Sequence, residues 1–281
     1  MLKIYQLSHL VRLTNCLLSA CGVLVGAYLT RVCGATTPVV LAAIATLFVC
    51  AAGNVFNDIC DVEADRINRP KRALPSGAIS MALAGYLTVG SAILGLCMAY
   101  LAGGRVFGIA VLEIALLGTY SLWLKKIPLL GNVVVAILGG MIFITGGLAV
   151  DLRLTFVLPG PLIAAGFAFL LHLVREIIKD AQDVEGDRAV GVKTLPMLVG
   201  VSLSIGIAFL FLCVLIMLTL FPTLSGWFGK AYTVIAVCLV DLPLLVVLQA
   251  AWWRPSPVSL QLSSLVLKVA MFFGLVALVL A

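Results

Sequence analysis

Charged residues are scarce in this chain of 281 residues: they make up 11% of it, whereas 63% of the residues are hydrophobic. Soluble domains carry roughly 25% charged residues and about 45–50% apolar ones. The shortage of charge therefore excludes an ordinary soluble domain, a disordered chain and a nucleic-acid-binding domain. The net charge of +6 is expected to lie at a membrane surface.

Histidine is also scarce, with two residues, and the eight cysteines form no C-x-x-C pair. Most of the cysteines lie within apolar segments, where free cysteine behaves as a small buried hydrophobe. This pattern excludes a disulfide-stapled secreted domain, and it gives no metal-like spacing between cysteine and histidine.

Long charge-free segments are present instead, six of them with 18 to 36 residues each: 13–30, 32–57, 73–104, 127–150, 154–174 and 194–229. A spanning helix needs about 20 mostly apolar residues. We therefore predict an all-α polytopic membrane protein, a single domain over 1–281 with about nine transmembrane helices. The helices are predicted near 10–30, 37–64, 78–102, 106–124, 129–150, 157–185, 200–221, 231–252 and 258–280.

Lysine and arginine are unevenly divided between the two sides of this predicted bundle. If the N-terminus is inside, twelve of them fall in inner segments, and the outer loops hold four: Arg31, Arg105, Arg153 and Lys230. Basic residues concentrate in cytoplasmic loops. The N-terminus is therefore predicted to be cytoplasmic and the C-terminus outside, in the cell membrane.

Nine of the 12 acidic residues fall in two short segments, both on the predicted inner side. The first holds Asp58, Asp61, Glu63 and Asp65, and the second holds Glu176, Asp180, Asp183, Glu185 and Asp187. A shift of 122 positions brings the first set onto Asp180, Asp183, Glu185 and Asp187, and it brings Asn54 onto Glu176. We interpret the two segments, near 54–66 and 176–188, as an internal duplication that places two acidic helix ends across a cavity.

Both segments repeat the spacing 4, 3, 4, which places side chains on one face of a helix. We call Asn54, Asp58, Asp61 and Asp65 the first stripe, and Glu176, Asp180, Asp183 and Asp187 the second stripe. Like charges at this spacing repel unless a cation lies between them. Oxygen ligands favour Mg²⁺, which usually binds one or two carboxylates together with substrate phosphates. The predicted metal ligands are Asn54, Asp58, Asp61, Asp65, Asp180, Asp183 and Asp187, of which Asp58, Asp61, Asp180 and Asp183 are predicted to be catalytic.

Basic residues beside the two stripes would complete a site for a phosphorylated substrate. They are Arg66, Arg69, Lys71, Arg72, Lys125, Lys126, Arg188 and Lys193. An isolated charge at a helix end is usually a solvated cap. Two copies of D-x-x-D-x-x-x-D, each followed by arginine and each closing a membrane helix, are far more specific, because ionisable groups in membrane spans are costly and usually functional.

Three motifs resemble those of the UbiA-type intramembrane prenyltransferases. The first is N-D-x-x-D-x-x-x-D from Asn57 to Asp65, followed by the basic stretch 66–72. The second is K-D-A-Q-D-V-E-G-D-R at 179–188, and the third is Y-S-L-W-L-K-K at 120–126, followed by Gly131-Asn132. The resemblance covers essentially the whole chain. The family's first helix commonly begins Arg-Pro-x-Asn, whereas this chain reads Arg12-Leu-Thr-Asn15, without the proline.

The resemblance implies a helical bundle around a cavity that opens laterally to lipid. It also implies Mg²⁺-dependent transfer of a prenyl group from an isoprenoid diphosphate to an acceptor. Further substrate-binding residues follow from it: Asn15, Asn57, Tyr120, Ser121, Arg175, Glu176 and Lys179. A tyrosine at a span end is also commonly an interface anchor, and that alternative stays open for Tyr120.

The stretch 175–196 resembles most the branch that transfers a geranylgeranyl group to geranylgeranylglyceryl phosphate in ether-lipid biosynthesis. An aromatic or tetrapyrrole acceptor (hydroxybenzoate, homogentisate or chlorophyllide) is the alternative, because those branches have a similar Glu-Gly-Asp stretch. An ion-coupled transporter, which would hold its acids near the middle of the membrane, is a further alternative. A lipid-binding subunit without activity is another.

Four ionisable residues lie inside predicted spans and outside these motifs. Asp241 and Lys268 are expected to pair with each other, because a lone charge at that depth is costly. Glu113 is expected either to be protonated or to face a polar cavity. His172 lies four residues before Glu176 and is expected to line the cavity rather than to bind metal.

Overall fold

The chain is seen here in a computed structural model that describes residues 2–32 and 34–281. Over these ranges the structure is helical and contains no strand. Cys33, one of the eight cysteines, lies outside the described residues, and the other seven are free. The predicted all-α class is confirmed.

Fourteen α-helices and two short irregular segments follow one another along the described residues. They are α1 (Leu2–Leu10), α2 (Leu13–Tyr28), α3 (Thr36–Cys60), α4 (Val62–Asn68), α5 (Met81–Ala102), α6 (Gly104–Leu122), a 3₁₀ turn (Leu124–Lys126), α7 (Leu130–Val150), α8 (Leu152–Thr155), α9 (Pro161–Ala189), α10 (Leu195–Val199), α11 (Val201–Leu224), α12 (Lys230–Ile235), a π-helical segment (Ala236–Asp241), α13 (Leu242–Trp253) and α14 (Pro257–Val279).

Eight spans are long and apolar enough to cross a membrane, and α12, the π-helical segment and α13 together form one of them. The shorter apolar helix α2 brings the number within the described ranges to nine, as predicted. Outward-facing side chains are apolar, as for Tyr86 and Leu224, which are 78% and 84% exposed. An apolar outer surface is what a lipid environment requires.

The helix predicted at 37–64 is wrong in one respect, because the structure divides it. α3 ends at Cys60, Asp61 takes a non-helical conformation (φ −98°, ψ 5°), and α4 begins at Val62. The side chain of Asp61 is held there by Asn57 and Lys125. The first stripe therefore crosses a helix boundary, whereas the second lies within one continuous helix, α9, which runs four residues past its predicted end to Ala189.

Helix α9 lies at the centre of the bundle and packs against α7, α11, α14 and α4. Val174, Ile177 and Ile178 on it are fully buried. Helices α2 and α7 cross in backbone contact, because a Cβ at Gly146 would overlap the Val23 carbonyl oxygen. Small residues allow such close approach in membranes, where packing rather than the hydrophobic effect drives helix association.

The expected pair between Asp241 and Lys268 is not formed, and this prediction is corrected. Asp241 is buried at the end of the π-helical segment, where Thr219 Oγ1 donates a hydrogen bond of 2.9 Å to its Oδ2. Lys268 lies on α14 and is exposed. The hydrogen-bond partner of Asp241 is thus the Thr219 hydroxyl and not the Lys268 ammonium group.

Candidate active site

Two cavities lie between the helices, one polar and one mostly apolar. The polar cavity, of about 70 Å³, lies between α3–α4 and the C-terminal half of α9. The apolar cavity, of about 270 Å³, extends from there along α2, α3, α7, α9 and α14. Five residues line both cavities and so mark their junction: Arg12, Asn57, Tyr120, Glu176 and Lys179.

Carboxylates from both stripes line the polar cavity. They are Asp61, Asp65, Glu176, Asp180, Asp183 and Asp187, and the cations with them are Arg12, Arg69, Arg72, Lys125 and Lys179. The two acidic segments therefore meet at one cavity, as their spacing predicted. Six carboxylates against five cations leave the cavity nearly neutral, so a charged substrate must enter together with compensating charge.

Nitrogen donors from elsewhere in the chain hold the carboxylates of the first stripe. Arg12 donates to Asp58 Oδ1, and Arg72 lies 3.6 Å from the same oxygen. Arg72 Nη1 donates to Asp65 Oδ2 over 2.6 Å. Asp61, at the break between α3 and α4, is paired with Lys125.

The second stripe has a different set of partners. Asn132 Nδ2 on α7 donates a hydrogen bond of 2.7 Å to Asp180 Oδ2. Glu176 is buried and pairs with Arg175 at 3.2 Å and with Lys179 at 3.1 Å. Asp180 thus has a neutral partner, whereas Glu176 is compensated by two cations.

Two consecutive residues at the C-terminal end of α4, Asn68 and Arg69, connect the two stripes. Arg69 lies 3.4 Å from Asp65 and 2.6 Å from Asp183. Asn68 Nδ2 donates to the Asp183 carbonyl oxygen, and Asn68 Oδ1 accepts from the Gly186 N–H, over 3.1 and 3.0 Å. A Cβ at Gly186 would overlap the Asn68 amide, so only glycine allows this contact. The end of the first motif is thereby fixed to the second.

The arginines at this site are held in their charged form. Burial lowers the pKa of Arg12, but the nearby Asp58 carboxylate outweighs burial and the pKa is raised above its usual range. Burial likewise lowers the pKa of Arg69, and Asp183 and then Asp65 raise it above its usual range. Opposite charges nearby favour the ionised form, so both guanidinium groups carry a full positive charge at the polar cavity.

The carboxylate set fits a hard divalent cation. Among the described residues no three histidine, cysteine or acidic side chains converge closely enough to hold a metal by themselves. The reason is visible in the contacts, since arginine, lysine or asparagine holds the carboxylates separately. Mg²⁺ commonly binds one or two carboxylates and takes its remaining ligands from substrate phosphates and water. These carboxylates therefore suit a Mg²⁺ ion that binds together with a phosphorylated substrate, which would supply its remaining ligands.

Residues 19–280 match the UbiA prenyltransferase family. The chain belongs to this family. Digeranylgeranylglyceryl phosphate synthase of Methanopyrus kandleri is 39% identical to it over 274 residues, which cover 96% of each chain. The resemblance inferred from the motifs is thereby confirmed, and so is the prediction of an enzyme, a prenyltransferase, rather than an ion-coupled transporter.

Solved structures agree with this assignment. A structure of digeranylgeranylglyceryl phosphate synthase is 30% identical to this UbiA prenyltransferase, with a TM-score of 0.71 over 99% of this chain and 98% of that one. A UbiA homologue from Archaeoglobus fulgidus, bound to GPP and Mg²⁺, is 17% identical and has a TM-score of 0.62 over 98% of this chain and 99% of that one. The second likeness shows the fold alone.

Several predicted site residues of this UbiA prenyltransferase lie away from the polar cavity. Asn15, Asn54, Ser121 and Arg175 line the apolar cavity. Asn54 Nδ2 donates to the Val11 carbonyl oxygen over 3.0 Å, and Ser121 Oγ is buried without a hydrogen-bond partner in the described part of the chain. Asp58 is buried behind Arg12 and lines neither cavity. Their assigned roles stay predictions.

Five predicted phosphate-binding cations are exposed and line neither cavity: Arg66, Lys71, Lys126, Arg188 and Lys193. Arg66 pairs with Glu63 over 2.9 Å, and both side chains are more than half exposed. Arg69, Arg72 and Lys125 are the predicted cations that the structure brings to the polar cavity. All eight cations were predicted because they lie in or close to the sequence motifs. That closeness does not distinguish the cations that line the polar cavity from those that line neither cavity.

Four polar residues that line the polar cavity were missed: Arg12, Asn68, Asn132 and Thr194. A signal existed for two of them, since Asn132 stands in the middle motif and Arg12 opens the Arg-x-x-Asn stretch. Among the residues noted outside the motifs, His172 lines the apolar cavity as expected. Glu113 is buried at this cavity and accepts a hydrogen bond of 3.3 Å from Thr145.

Proposed function

We propose that this prenyltransferase transfers a geranylgeranyl group from its diphosphate to geranylgeranylglyceryl phosphate, in the biosynthesis of ether lipids. The observation that carries the proposal is the junction of the two cavities at Arg12, Asn57, Tyr120, Glu176 and Lys179. A prenyl diphosphate has one highly charged end and one apolar chain. The polar and apolar cavities match these two parts, so C1 of the prenyl group would lie at the junction.

The relatives support this choice of substrates. Digeranylgeranylglyceryl phosphate synthase is the name of the Methanopyrus kandleri relative. A synthase of the same name from Methanoculleus marisnigri is 37% identical over 85% of each chain. The Archaeoglobus fulgidus homologue binds GPP, a prenyl diphosphate, together with Mg²⁺.

Carboxylates of both stripes would hold Mg²⁺ with the diphosphate. The residues proposed for this role are Asp61, Asp65, Asp180, Asp183 and Asp187, which line the polar cavity, together with Asn54 and Asp58, whose part requires their present hydrogen-bond partners to be exchanged. Bound Mg²⁺ supplies charge neutralisation of the departing diphosphate. Asp58, Asp61, Asp180 and Asp183 keep the catalytic role predicted for them.

Cations at the polar cavity would orient the diphosphate. Arg69, Arg72, Lys125 and Lys179 are charged donors at its wall, and charge-assisted hydrogen bonds to phosphate are short and strong. Arg66, Lys71, Lys126, Arg188 and Lys193 lie further out, where they would attract anionic substrates through long-range electrostatics. Asn57 and Tyr120 at the junction, with Asn15 and Ser121 beyond it, would contact the substrate next to the reacting carbon.

The apolar cavity would exclude water from the bond that breaks. Ile142, Phe143 and Phe167 line it beyond the junction. Breaking the C1–O bond leaves an allylic, cation-like carbon, which water would capture if it were present. Exclusion of water prevents that side reaction, so the acceptor hydroxyl is the nucleophile that reaches C1.

The membrane orientation is part of the same proposal. An inner N-terminus and an outer C-terminus would place the polar cavity toward the cytoplasm, where soluble diphosphates are available. Reporter fusions to each terminus test the orientation. A C-terminal reporter that is active in the cytoplasm would contradict it.

The test of function is transfer of a radiolabelled geranylgeranyl group by the purified protein in lipid. Geranylgeranylglyceryl phosphate, hydroxybenzoate, homogentisate and chlorophyllide are offered separately, with Mg²⁺ and with excess chelator. We expect an ether product with the first acceptor only, and no product in chelator. Transfer to an aromatic acceptor alone would show that the proposed acceptor is wrong, while the proposed reaction, prenyl transfer, would stand. Full activity in chelator would refute the metal assignment.

A further inference from the structure

Lys268 is an ammonium group inside a membrane span without a carboxylate partner among the described residues. It lies in α14, eleven residues after Pro257, so it is about 16 Å from the start of the helix at about 1.5 Å per residue. The partner expected from sequence, Asp241, is bonded to Thr219 instead. A charge at this depth is costly and is usually retained for a function.

The position of Lys268 on α14 relates it to the apolar cavity. Met271, Leu275 and Leu278 line that cavity from α14. Lys268 precedes them by steps of 3, 4 and 3 residues, which continue one face of the helix. Lys268 is exposed and does not itself line the cavity, but it lies one turn from Met271 on this face, toward the side of the membrane where α9 ends and the polar cavity lies.

Arg175 is a cation on the neighbouring helix α9, against which α14 packs, and its charge acts on Lys268. It lines the apolar cavity from α9. Its Nη1 pairs with Glu176, whereas its Nε is buried without a hydrogen-bond partner among the described residues. A buried donor without an acceptor is costly, so the Nε–H of Arg175 can still donate a hydrogen bond to a ligand.

Several arginines lie close enough to repel the Lys268 ammonium group. Arg175 contributes most, followed by Arg12, Arg69 and Arg72. Repulsion among cations in a region of reduced solvent screening requires an anion. Arg12, Arg69 and Arg72 each have a carboxylate partner, and Glu176 is shared by Arg175 and Lys179. Lys268 is the member of this group that pairs with no carboxylate among the described residues.

We propose that Lys268 and Arg175 bind the phosphate of the lipid acceptor, beside the apolar cavity that takes its chain. The inference rests on the proposed function and specifies its acceptor as a phosphate monoester with a long apolar chain. Arg175 is adjacent in sequence to Glu176, which lines the cavity junction. A phosphate bound here would hold the acceptor's glycerol hydroxyl close to C1 of the prenyl donor. The diphosphate of the donor itself is the other possible source of phosphate.

Steady-state kinetics of Lys268→Gln distinguish the two sources. We expect KM for geranylgeranylglyceryl phosphate to rise at least about ten-fold, which corresponds to about 1.4 kcal/mol, and KM for the prenyl diphosphate to change less than two-fold. Lys268→Arg should recover most of the affinity, because it restores the charge. Lys230→Gln, which removes an exposed lysine at the start of α12, is the matched control and should leave both KM values unchanged.

A second acceptor, geranylgeranylglycerol without its phosphate, sharpens the test. Lys268→Gln should leave its KM unchanged, since the contact removed is the contact to phosphate. An unchanged KM for the phosphorylated acceptor, or an increase confined to the prenyl diphosphate, would overturn the proposal. Should Lys268→Gln fail to fold, Lys268→Met, which keeps the aliphatic part of the side chain, takes its place.

Failure of the proposed function has a different signature. In that case the wild type would not turn over geranylgeranylglyceryl phosphate at all. Equilibrium binding of this lipid to wild type and Lys268→Gln in nanodiscs of neutral lipid then decides about the site. Weaker binding to the variant supports a phosphate-binding site at Lys268, and equal binding refutes it.

Discussion

In the first stripe Asp58 is bonded to Arg12, whereas Asp180, at the corresponding position of the second stripe, is bonded to the neutral amide of Asn132. The same contrast recurs two turns on. Asp65 is held by two arginines, and its counterpart Asp187 has no ion pair among the described residues. Two copies of one motif thus have different electrostatic surroundings, because partners from other helices set the charge. The second stripe therefore keeps carboxylates, Asp180 and Asp187, that no cation among the described residues compensates and that could bind a metal ion.

The largest expected effect comes from removing one carboxylate of each stripe at the polar cavity. Asp61→Asn and Asp180→Asn should each lower prenyl transfer roughly 1000-fold, about 4 kcal/mol in the barrier, because each loses an anionic oxygen for the metal. Radiolabelled transfer at saturating Mg²⁺ measures it. Activity within ten-fold of wild type in either variant would contradict the proposed metal site.

A stability measurement sharpens the contrast between Asp58 and Asp180. Asp58→Asn leaves Arg12 without its carboxylate, and losing one partner of a largely buried pair costs about 3 kcal/mol. Asp180→Asn replaces a carboxylate beside an amide and should cost far less. Thermal unfolding in detergent compares the two variants. Equal melting temperatures would show that the different partners have no energetic consequence.

A smaller effect is expected where the two stripes are joined. Asn68→Ala removes two hydrogen bonds to α9 and should cost about 1–2 kcal/mol of unfolding free energy. Gly186→Ala should also destabilise the wild type, because its Cβ overlaps Asn68, but much less so in the Asn68→Ala background. A double-mutant cycle measures this coupling. Additive effects would mean that the contact does not connect the stripes.

The smallest effect is expected at Glu63, the acidic residue that lies between the members of the first stripe in sequence. Its side chain is 62% exposed and pairs only with the equally exposed Arg66 among the described residues. Glu63→Gln should change the unfolding free energy by less than about 0.5 kcal/mol and leave prenyl transfer unchanged. A substantial loss of activity would place Glu63 in the site and remove the distinction between stripe and non-stripe acids.

The features that could be predicted from the sequence are those that depend on local pattern. The number of spans follows from the apolar segments, and the meeting of Asp61 with Asp183 at one cavity follows from the repeated spacing. Contacts between segments that are far apart in the chain could not be predicted from the sequence. Asn132 meets Asp180 because α7 packs on α9, and Arg12 reaches Asp58 because its left-handed backbone (φ 53°) separates α1 from α2. No local pattern encodes either of these contacts.

The division of α3 from α4 also escaped prediction, for a related reason. The segment through Asp61 keeps helical hydrogen bonds on both sides of the break, from Asp61 N to Asn57 O and from Asp65 N to Asp61 O. Nothing in its composition resembles a helix terminator such as glycine or proline. The Asp61 side chain is held by Asn57, one turn earlier, and by Lys125, which lies outside the segment, so the second contact could not be predicted from local pattern.

The π-helical segment at Ala236–Asp241 fits an extra residue into the path of its span. One residue corresponds to about 100° of rotation in an α-helix. The residues of α13 are therefore turned by about that angle relative to their positions if the same sequence formed one continuous α-helix. Leu244, Leu248 and Ala251 are fully buried in this rotated setting. Deleting a single residue here would return the segment to an ordinary α-helix and leave this buried face of α13 in place, whereas the same deletion within α13 would turn the residues after it by about 100°, out toward the acyl chains.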